Sequence, residues 1–248
     1  MRLTGTRALV VGASSGVGLE TARLLHGEGA EVTLAARRQD KLQAVAGELG
    51  DRSHVVVADV ADAASCAAIV PAAIAAMGGL DVAVYTAGIC EPCLVKDMTL
   101  EVFKRHLDIN LTGNFIVAQA AALHMAGNGG GSIVNIASEL SHIGMGYYVH
   151  YCAAKAGVLG LTRALAAEMA PKVRVNAVSP GPIDTPMLHD EIAWFGGSKE
   201  VMDGALARVP MKRFATPQEV ARSVLFLAVE APFATGSILA LDGGTTMV

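Results

Sequence analysis

A tyrosine and a lysine four residues apart form the pair in this sequence best suited to acid–base chemistry. Tyr151 and Lys155 in Tyr-Cys-Ala-Ala-Lys lie one turn apart on the same face of a predicted helix. A free phenol has a pKa of about 10, and a cation beside it stabilises the phenolate. We therefore predict that Lys155 lowers the pKa of Tyr151. Ser138 ends a predicted strand and could donate to a substrate carbonyl oxygen, although a serine that caps a loop explains Ser138 alone equally well.

A glycine-rich turn follows the first predicted strand. Its sequence, Gly-Ala-Ser-Ser-Gly-Val-Gly over 12–18, leads directly into a predicted helix. Gly12 would permit a tight turn, Gly16 the approach of a pyrophosphate to the backbone, and Gly18 close packing of the helix, whose N-terminus attracts anions. With 27 glycines in the chain, this spacing can arise by chance, so its position after a strand carries the interpretation. The predicted phosphate-binding residues are Gly12, Ser14, Ser15, Gly16, Val17 and Gly18.

The second predicted strand ends in two arginines instead of the carboxylate that usually binds both ribose hydroxyls of NAD. Arg37 and Arg38 could hold a 2′-phosphate, which predicts a preference for NADP(H) over NAD(H). The alternative is that both are solvated charges at the entry of a helix. After the third strand, Asp59 and Val60 are predicted to contact the adenine, although an aspartate that opens the next helix is almost as good an account.

Short apolar runs alternate with alanine-rich segments of helical length. This alternation predicts an α/β fold with a single domain over 1–248: a Rossmann-type, doubly wound parallel sheet of about seven strands with helices on both faces. The ligand is expected where the winding direction switches. The predicted strands are Arg7–Val11, Glu31–Ala36, His54–Ala58, Asp81–Thr86, Ser132–Ala137, Arg174–Ser179 and Ser237–Leu241, and the predicted helices are 17–27, 39–49, 62–77, 99–125, 150–169 and 217–229.

Composition narrows the possible partners. The 248 residues are 52% hydrophobic and 17% charged, which excludes disorder for most of the chain. A net charge of −4, with both signs well mixed, gives no reason to expect nucleic acid or an anionic membrane as a partner. The longest uncharged apolar run, Cys66–Leu80, is shorter than the roughly 20 residues that span a bilayer. We expect a cytoplasmic protein with reduced cysteines and a small-molecule substrate.

The chain resembles the short-chain dehydrogenase/reductase family over essentially its whole length. The family's glycine motif matches the turn after the first strand, and its active-site Ser, Tyr and Lys match Ser138, Tyr151 and Lys155. Asn110 in Asp-Ile-Asn matches its helix asparagine. The segments Arg174-Val175-Asn176, Ser179-Pro180-Gly181-Pro182 and Asp242-Gly243-Gly244 are also similar to family segments.

The resemblance implies hydride transfer between a nicotinamide and a carbonyl or carbinol carbon. In reduction, Ser138 and Tyr151 would bind the carbonyl oxygen and Tyr151 would donate the proton. Lys155 would also hold the nicotinamide ribose, and Asn110 would position a water that passes protons from solvent. The remaining residues expected at the cofactor are Ala87, Gly88, Pro180, Gly181, Ile183 and Thr185.

Two features depart from the family's pattern or lie outside it. Tyr85-Thr86-Ala87-Gly88 stands where most members have Asn-Asn-Ala-Gly, so the usual side-chain amide is absent, and we interpret this as a variant turn that still lets the cofactor approach. Cys90 and Cys93 have the spacing of a redox pair or half a zinc site, but nothing in the sequence completes a ligand set. We expect no metal and treat both thiols as small apolar side chains.

The family's substrate loop corresponds to about 182–210. The residues of this loop, together with those after the fifth strand, predict an apolar pocket and a hydrophobic or alicyclic ketone as substrate. His142 could contact a substrate oxygen, but a single histidine in a loop is more often solvated and without a function. The predicted substrate contacts are Ser138, Leu140, His142, Met145, Tyr151, Met187 and Trp194.

Two other functions stay open. One is reduction of a 3-oxoacyl thioester on an acidic carrier protein, for which the segment 126–131 offers no basic residue. The other is a non-catalytic NADP(H)-binding sensor or scaffold, against which the intact Ser-Tyr-Lys set argues. The small-residue faces of the helix 152–170 and of the helix through Asn110 favour a homotetramer like those of the family.

Overall fold

Seven parallel strands form the centre of the molecule in the computed structural model, which describes residues 1–247. The order across the sheet is β3-β2-β1-β4-β5-β6-β7, and every neighbouring pair is parallel. The predicted doubly wound α/β fold is therefore confirmed. The strands are β1 (Arg7–Val11), β2 (Glu31–Ala36), β3 (Ser53–Val57), β4 (Val82–Tyr85), β5 (Gly131–Ile136), β6 (Val173–Pro180) and β7 (Ile238–Leu241).

Helices connect the strands, and three of the predicted helices are interrupted. The helix expected over 62–77 breaks at Ala68 because Pro71 has no N–H to donate to the carbonyl one turn earlier. The helices expected over 99–125 and 217–229 each contain a π-helical turn, at Asp108–Thr112 and Phe226–Glu230. The α-helices are α1 (Gly16–Gly27), α2 (Gln39–Leu49), α3 (Ala63–Ala67), α4 (Ile69–Met77), α5 (Leu100–Leu107), α6 (Gly113–Gly127), α7 (Val149–Met169), α8 (Pro186–Trp194), α9 (Lys199–Ala207) and α10 (Pro217–Leu225).

The two faces of the sheet bury separate apolar cores. Along β1, Ala8 and Val10 point into a core shared with α1, α2 and α10, whereas Leu9 and Val11 point into a core shared with α4 and α6. Because side chains alternate between the faces of a strand, a strand covered on both sides buries nearly every side chain and is therefore mostly apolar. This explains why the strands read as continuous apolar runs.

The winding direction reverses between β1 and β4, which lie side by side in the sheet although β2 and β3 separate them in sequence. In open α/β sheets a ligand binds beyond the carboxyl ends of the strands at such a point. Here that edge is formed by the turns that follow Val11 and Tyr85. Among residues 1–247, no helix combines the length and the apolar character needed to cross a bilayer.

Candidate functional site

The glycine-rich turn packs tightly against the end of β4. Gly12 has a φ of +94°, a conformation that favours glycine. A Cβ at Gly18 would overlap both the Gly12 carbonyl oxygen and the Thr86 hydroxyl, so α1 can approach the sheet this closely only with glycine there. The Thr86 hydroxyl donates to the Val11 carbonyl over 2.7 Å. Thr86 thus ties the two strand ends together in this variant turn, a role that the sequence did not reveal.

A cavity of about 270 Å³ lies over this turn. It runs from the end of β2, across the start of α1, to the Tyr-Lys pair on α7. Every residue that the sequence assigns to the cofactor contributes to its wall: Gly12, Ser14, Ser15, Gly16, Val17, Gly18, Arg37, Arg38, Asp59, Val60, Ala87, Gly88, Tyr151, Lys155, Pro180, Gly181, Ile183 and Thr185.

One end of this cavity is cationic. The exposed Arg38 guanidinium donates to the hydroxyls of Ser14 and Ser15 over 3.0 and 3.1 Å, which places it beside the phosphate-binding turn. Asp59 accepts a hydrogen bond from the Ala61 N–H over 3.0 Å and does not cap the next helix. That cap is Asp62, which accepts from the Ser65 N–H over 2.6 Å.

A second cavity, of about 440 Å³, shares Ser138 and Tyr151 with the first. Much of its wall is apolar, and Leu140, Met145 and Met187 lie there as the sequence predicts. The cavity also has polar wall residues that the sequence analysis did not single out, although Glu139 is adjacent to Ser138 and two others fall within 182–210. These polar residues are Glu139, Tyr147, Tyr148, Glu191, Arg208 and Thr245.

Ser138 sits at the end of β5, where a short 3₁₀ turn begins. Its hydroxyl accepts a hydrogen bond from the Leu140 N–H over 3.2 Å, and its carbonyl accepts one from the Ser179 hydroxyl over 2.6 Å. His142 is not part of either cavity wall, because its ring nitrogen Nε2 lies 3.1 Å from that same Ser179 hydroxyl. The prediction that His142 contacts substrate is therefore not supported by its position.

Trp194 also lies away from the substrate cavity. It ends α8, is 51% exposed and packs edge-on against Phe195 and Tyr147, with ring centroids 4.7 and 5.7 Å away. Phe195 and Tyr147 themselves line the cavity. The predicted contact at Trp194 thus falls one residue from the aromatic side chain that the structure places at the wall.

Tyr151 and Lys155 lie one turn apart on α7, with the Lys155 ammonium 5.5 Å from the centre of the tyrosine ring. Burial raises the pKa of the Tyr151 phenol well above its usual range, nearby Cys90 and Glu191 raise it further, and a hydrogen bond with Ser138 opposes them. Burial also lowers the pKa of Lys155 to about 8. Desolvation thus sets the net direction of the phenol pKa in the cofactor-free chain, and the lowering contribution expected from Lys155 stays a prediction. The phenol stays protonated near neutral pH.

The burial of Lys155 predicts how the stability of the protein depends on pH. Lys155 is only 5% exposed, and its lowered pKa means that the unfolded chain binds more protons from about pH 8 to 10.5, so stability rises with pH through that window. Each pKa unit corresponds to about 1.4 kcal/mol, and losing the bond from Nζ to the Ile136 carbonyl offsets part of the gain. We expect Lys155→Met to raise the free energy of unfolding of the cofactor-free protein at pH 7 by roughly 1–2 kcal/mol.

Urea unfolding at pH 7 and pH 9.5 measures this effect. The stabilisation should shrink at the higher pH, since the wild-type lysine is then largely neutral in the folded state. Lys41→Met, at an exposed position on α2, is the matched control and should change stability by less than about 0.5 kcal/mol. Equal effects of the two substitutions, or a destabilised Lys155→Met protein, would contradict the account of the buried charge.

Asn110 lies in the π-helical turn between α5 and α6 and is outside both cavities. Its amide nitrogen donates to the carbonyls of Ile89 and His106, both over 3.0 Å, and its amide oxygen accepts from the Ile89 N–H over 3.2 Å. A Cβ at Gly88 would lie 2.6 Å from that oxygen. Asn110 therefore fixes the backbone after β4 where it borders the first cavity.

Cys90 and Cys93 differ in their surroundings. Cys90 is buried at the wall of the second cavity, and burial raises the pKa of its thiol, whereas Cys93 is half-buried. Within residues 1–247 no group of three or more His, Cys, Asp or Glu side chains is arranged to hold a metal ion.

Known proteins of similar sequence and structure share this architecture. Residues 12–246 match a family model described as enoyl-(acyl carrier protein) reductase. The chain is 41% identical over 246 residues to cis-4-hydroxycyclohexanecarboxylate dehydrogenase of Sinomonas cyclohexanicum, with 97% of this chain and 96% of the relative covered. It is 36% identical over 249 residues to a 3-oxoacyl-(acyl-carrier-protein) reductase of Thermotoga maritima, with 98% and 99% covered. A short-chain type dehydrogenase/reductase from Mycobacterium marinum superposes with a TM-score of 0.90 at 37% identity, with 99% and 97% covered.

These similarities define an oxidoreductase that uses a nicotinamide cofactor and acts on alcohol or carbonyl groups. The chain belongs to the short-chain dehydrogenase/reductase family, as its motifs predict.

The first cavity fits such a cofactor. Gly16, with a φ of +54°, lines the cavity at the start of α1, where backbone N–H groups are free to bind a pyrophosphate. The Arg38 guanidinium beside Ser14 and Ser15 supplies a positive charge at the same end. The opposite end reaches Ser138, Tyr151 and Lys155, where a nicotinamide could meet a substrate.

Proposed function

We propose that the protein is an NADP(H)-dependent enzyme that interconverts a ketone and a secondary alcohol, with a hydrophobic or alicyclic carbonyl compound as its substrate. The observation that carries this proposal is the meeting of the two cavities at Ser138 and Tyr151. A cofactor in the first cavity and a ketone in the second would both reach these two hydroxyls. The side chains that bind the carbonyl oxygen would then lie beside the site of hydride transfer.

In the reductive direction the chain's own residues manage the proton. The bound nicotinamide supplies the hydride to the carbonyl carbon. Ser138 and Tyr151 donate hydrogen bonds to the carbonyl oxygen, and Tyr151 gives up its proton as that oxygen becomes an alkoxide. The product is the secondary alcohol, and the phenolate left on Tyr151 is stabilised by the Lys155 ammonium until it takes a proton from solvent. A phenol that is protonated near neutral pH suits this direction.

Arg38 supports the choice of NADP(H). A 2′-phosphate bound beside Ser14 and Ser15 would accept charge-assisted hydrogen bonds from the Arg38 guanidinium, which lies against these two hydroxyls. Arg37 lies on the same wall, and β2 ends without a carboxylate that would repel the phosphate. Oxidised and reduced NAD lack this phosphate and would not form these charge-assisted bonds.

The substrate class is tested by initial rates of ketone reduction with NADPH. The panel contains cyclic ketones, aryl ketones, β-keto esters and β-ketoacyl thioesters. Each reaction is measured by the loss of absorbance of the reduced nicotinamide, and its alcohol product is identified. We expect the cyclic ketones to have the highest kcat/KM. If β-ketoacyl thioesters are reduced at least tenfold more efficiently, the activity named for the Thermotoga maritima relative replaces this substrate class.

We also propose that the protein assembles as a homotetramer. On α7 the small residues Ala153, Ala156, Gly160 and Ala164 are exposed, and a row of small side chains lets two helices pack closely. Light scattering after gel filtration should give four times the mass of the chain, whereas a monomer at micromolar concentration would contradict the proposal. The cytoplasmic location stays a prediction from the sequence.

A further inference from the structure

The substrate cavity contains a cluster of hydrogen-bond acceptors close to the reacting position. Glu139 follows Ser138 in the 3₁₀ turn, and Glu191 lies on α8. Both residues line the cavity. Glu191 is already bonded, since the Tyr148 hydroxyl donates to its Oε2 over 3.2 Å. A pocket with a largely apolar wall thus includes two acidic residues.

One of the two carboxyl oxygens of Glu139 lacks a hydrogen-bond partner within residues 1–247. It is 6% exposed, and its Oε2 is buried with no hydrogen-bond partner among the residues that the structure describes. Burial raises the pKa of Glu139, while a hydrogen bond with Thr245 and the charge of Arg208 oppose the rise. An unsatisfied buried carboxyl is costly, and in native proteins it is usually matched by a donor from protein, water or ligand. Glu139 belongs to the wall of the substrate cavity, so a turn of its carboxyl toward the cavity would let a substrate group supply the donor.

We propose that the substrate carries, in addition to its reacting carbonyl, a hydroxyl group that donates a hydrogen bond to Glu139. The substrate class is then a hydroxylated alicyclic ketone, interconverted with the corresponding diol. This inference rests on the proposed ketone reduction and adds a second contact point to it. The apolar ring would pack on Leu140, Met145 and Met187, and its hydroxyl would face the side of the cavity that contains Glu139.

The charges of the wall favour a neutral donor over an anion. A substrate carboxylate would meet two carboxyls, with Arg208 as the cation on that wall. Arg208 is exposed at the end of α9, and its guanidinium contacts the Met145 sulfur over 3.3 Å. A hydroxyl donates to a carboxyl and introduces no such repulsion.

The test compares kcat/KM with NADPH for cyclohexanone, 3- and 4-hydroxycyclohexanone, and 4-oxocyclohexanecarboxylate. For each protein the readout is the ratio of the better hydroxyketone to cyclohexanone, which a general loss of folded enzyme does not change. We expect a wild-type ratio of roughly tenfold, as for a hydrogen bond to a buried carboxyl. Glu139→Leu should bring the ratio close to one, Glu139→Gln should retain part of it, and Glu168→Gln, at an exposed position on α7, should keep the wild-type ratio.

Four results would overturn the inference. If cyclohexanone is reduced but the hydroxyketones have no advantage, or if their advantage survives in Glu139→Leu, the hydroxyl contact is wrong and the proposed ketone reduction stands. If the carboxylate is the best substrate, Arg208 and not Glu139 selects the substituent. If no ketone is reduced at all, the proposed function fails and the inference fails with it.

Discussion

Tyr151→Phe should reduce kcat for ketone reduction by at least about 10³-fold, within the range that a general acid contributes. The substitution removes the only hydroxyl that both lines the two cavities and lies one turn from Lys155 on α7 among the described residues. The developing alkoxide would then lose its proton donor while the ring volume stays nearly the same. Binding of NADPH, measured by fluorescence titration, should change by less than about threefold, because the phosphate-binding turn and Arg38 are unaffected.

Tyr85→Phe is the matched control. It removes a phenol hydroxyl at the end of β4 that donates to the Ile109 carbonyl over 2.6 Å, and Tyr85 lines neither cavity. We expect its kcat, per folded enzyme, to stay within about threefold of the wild type. Loss of NADPH binding in Tyr151→Phe, or residual activity above about a tenth of the wild type, would contradict the role given to this phenol.

Arg38→Ala should raise the Kd for NADPH by about 10- to 100-fold, the effect of losing charge-assisted hydrogen bonds to a phosphate. The Kd for NADH should change by less than about threefold, because the missing contact is specific to the 2′-phosphate. The physical reason is the position of the guanidinium, 3.0 and 3.1 Å from the hydroxyls of Ser14 and Ser15. Binding of both cofactors is measured on the same preparations.

Lys41→Ala controls for a general change of surface charge, since Lys41 is exposed near the start of α2 and is not part of the first cavity wall. It should leave both Kd values unchanged within error. If Arg38→Ala weakens the binding of NADH and NADPH equally, the guanidinium stabilises the turn and does not bind the 2′-phosphate. If neither changes, Arg37 or another group supplies the preference.

The architecture of the site could be predicted because it depends on local chain geometry. Gly12 and Gly18 are recognisable since each must bring backbone against backbone, at a tight turn and at a helix packed on a strand end. Tyr151 and Lys155 are recognisable because a spacing of four places them on one helix face. These features need only the neighbouring residues and the order of strands, which the alternation of apolar runs and helices also indicates.

The properties that depend on distant parts of the chain could not be predicted. The pKa of Tyr151 is set by burial and by Cys90 and Glu191, which approach it from other segments. His142 lies only four residues after Ser138, yet its partner is Ser179 on β6. The two acidic residues of the substrate cavity, Glu139 and Glu191, are likewise 52 positions apart in sequence, and only the folded chain brings them to one cavity. Sequence spacing contains no information about such contacts.

The most direct test of the central claim is a parallel measurement of initial rates with NADPH and NADH, using the wild-type protein and the best ketone of the panel. The account predicts that the wild-type protein, which has both Ser138 and Tyr151, reduces the ketone. It also predicts that kcat/KM with NADPH is at least about tenfold higher than with NADH, since a hydrogen bond to a charged group contributes at least this factor. A higher value with NADH would contradict the role of Arg38. NADPH binding without turnover of any ketone would contradict the proposed enzymatic activity and favour a non-catalytic NADP(H) sensor.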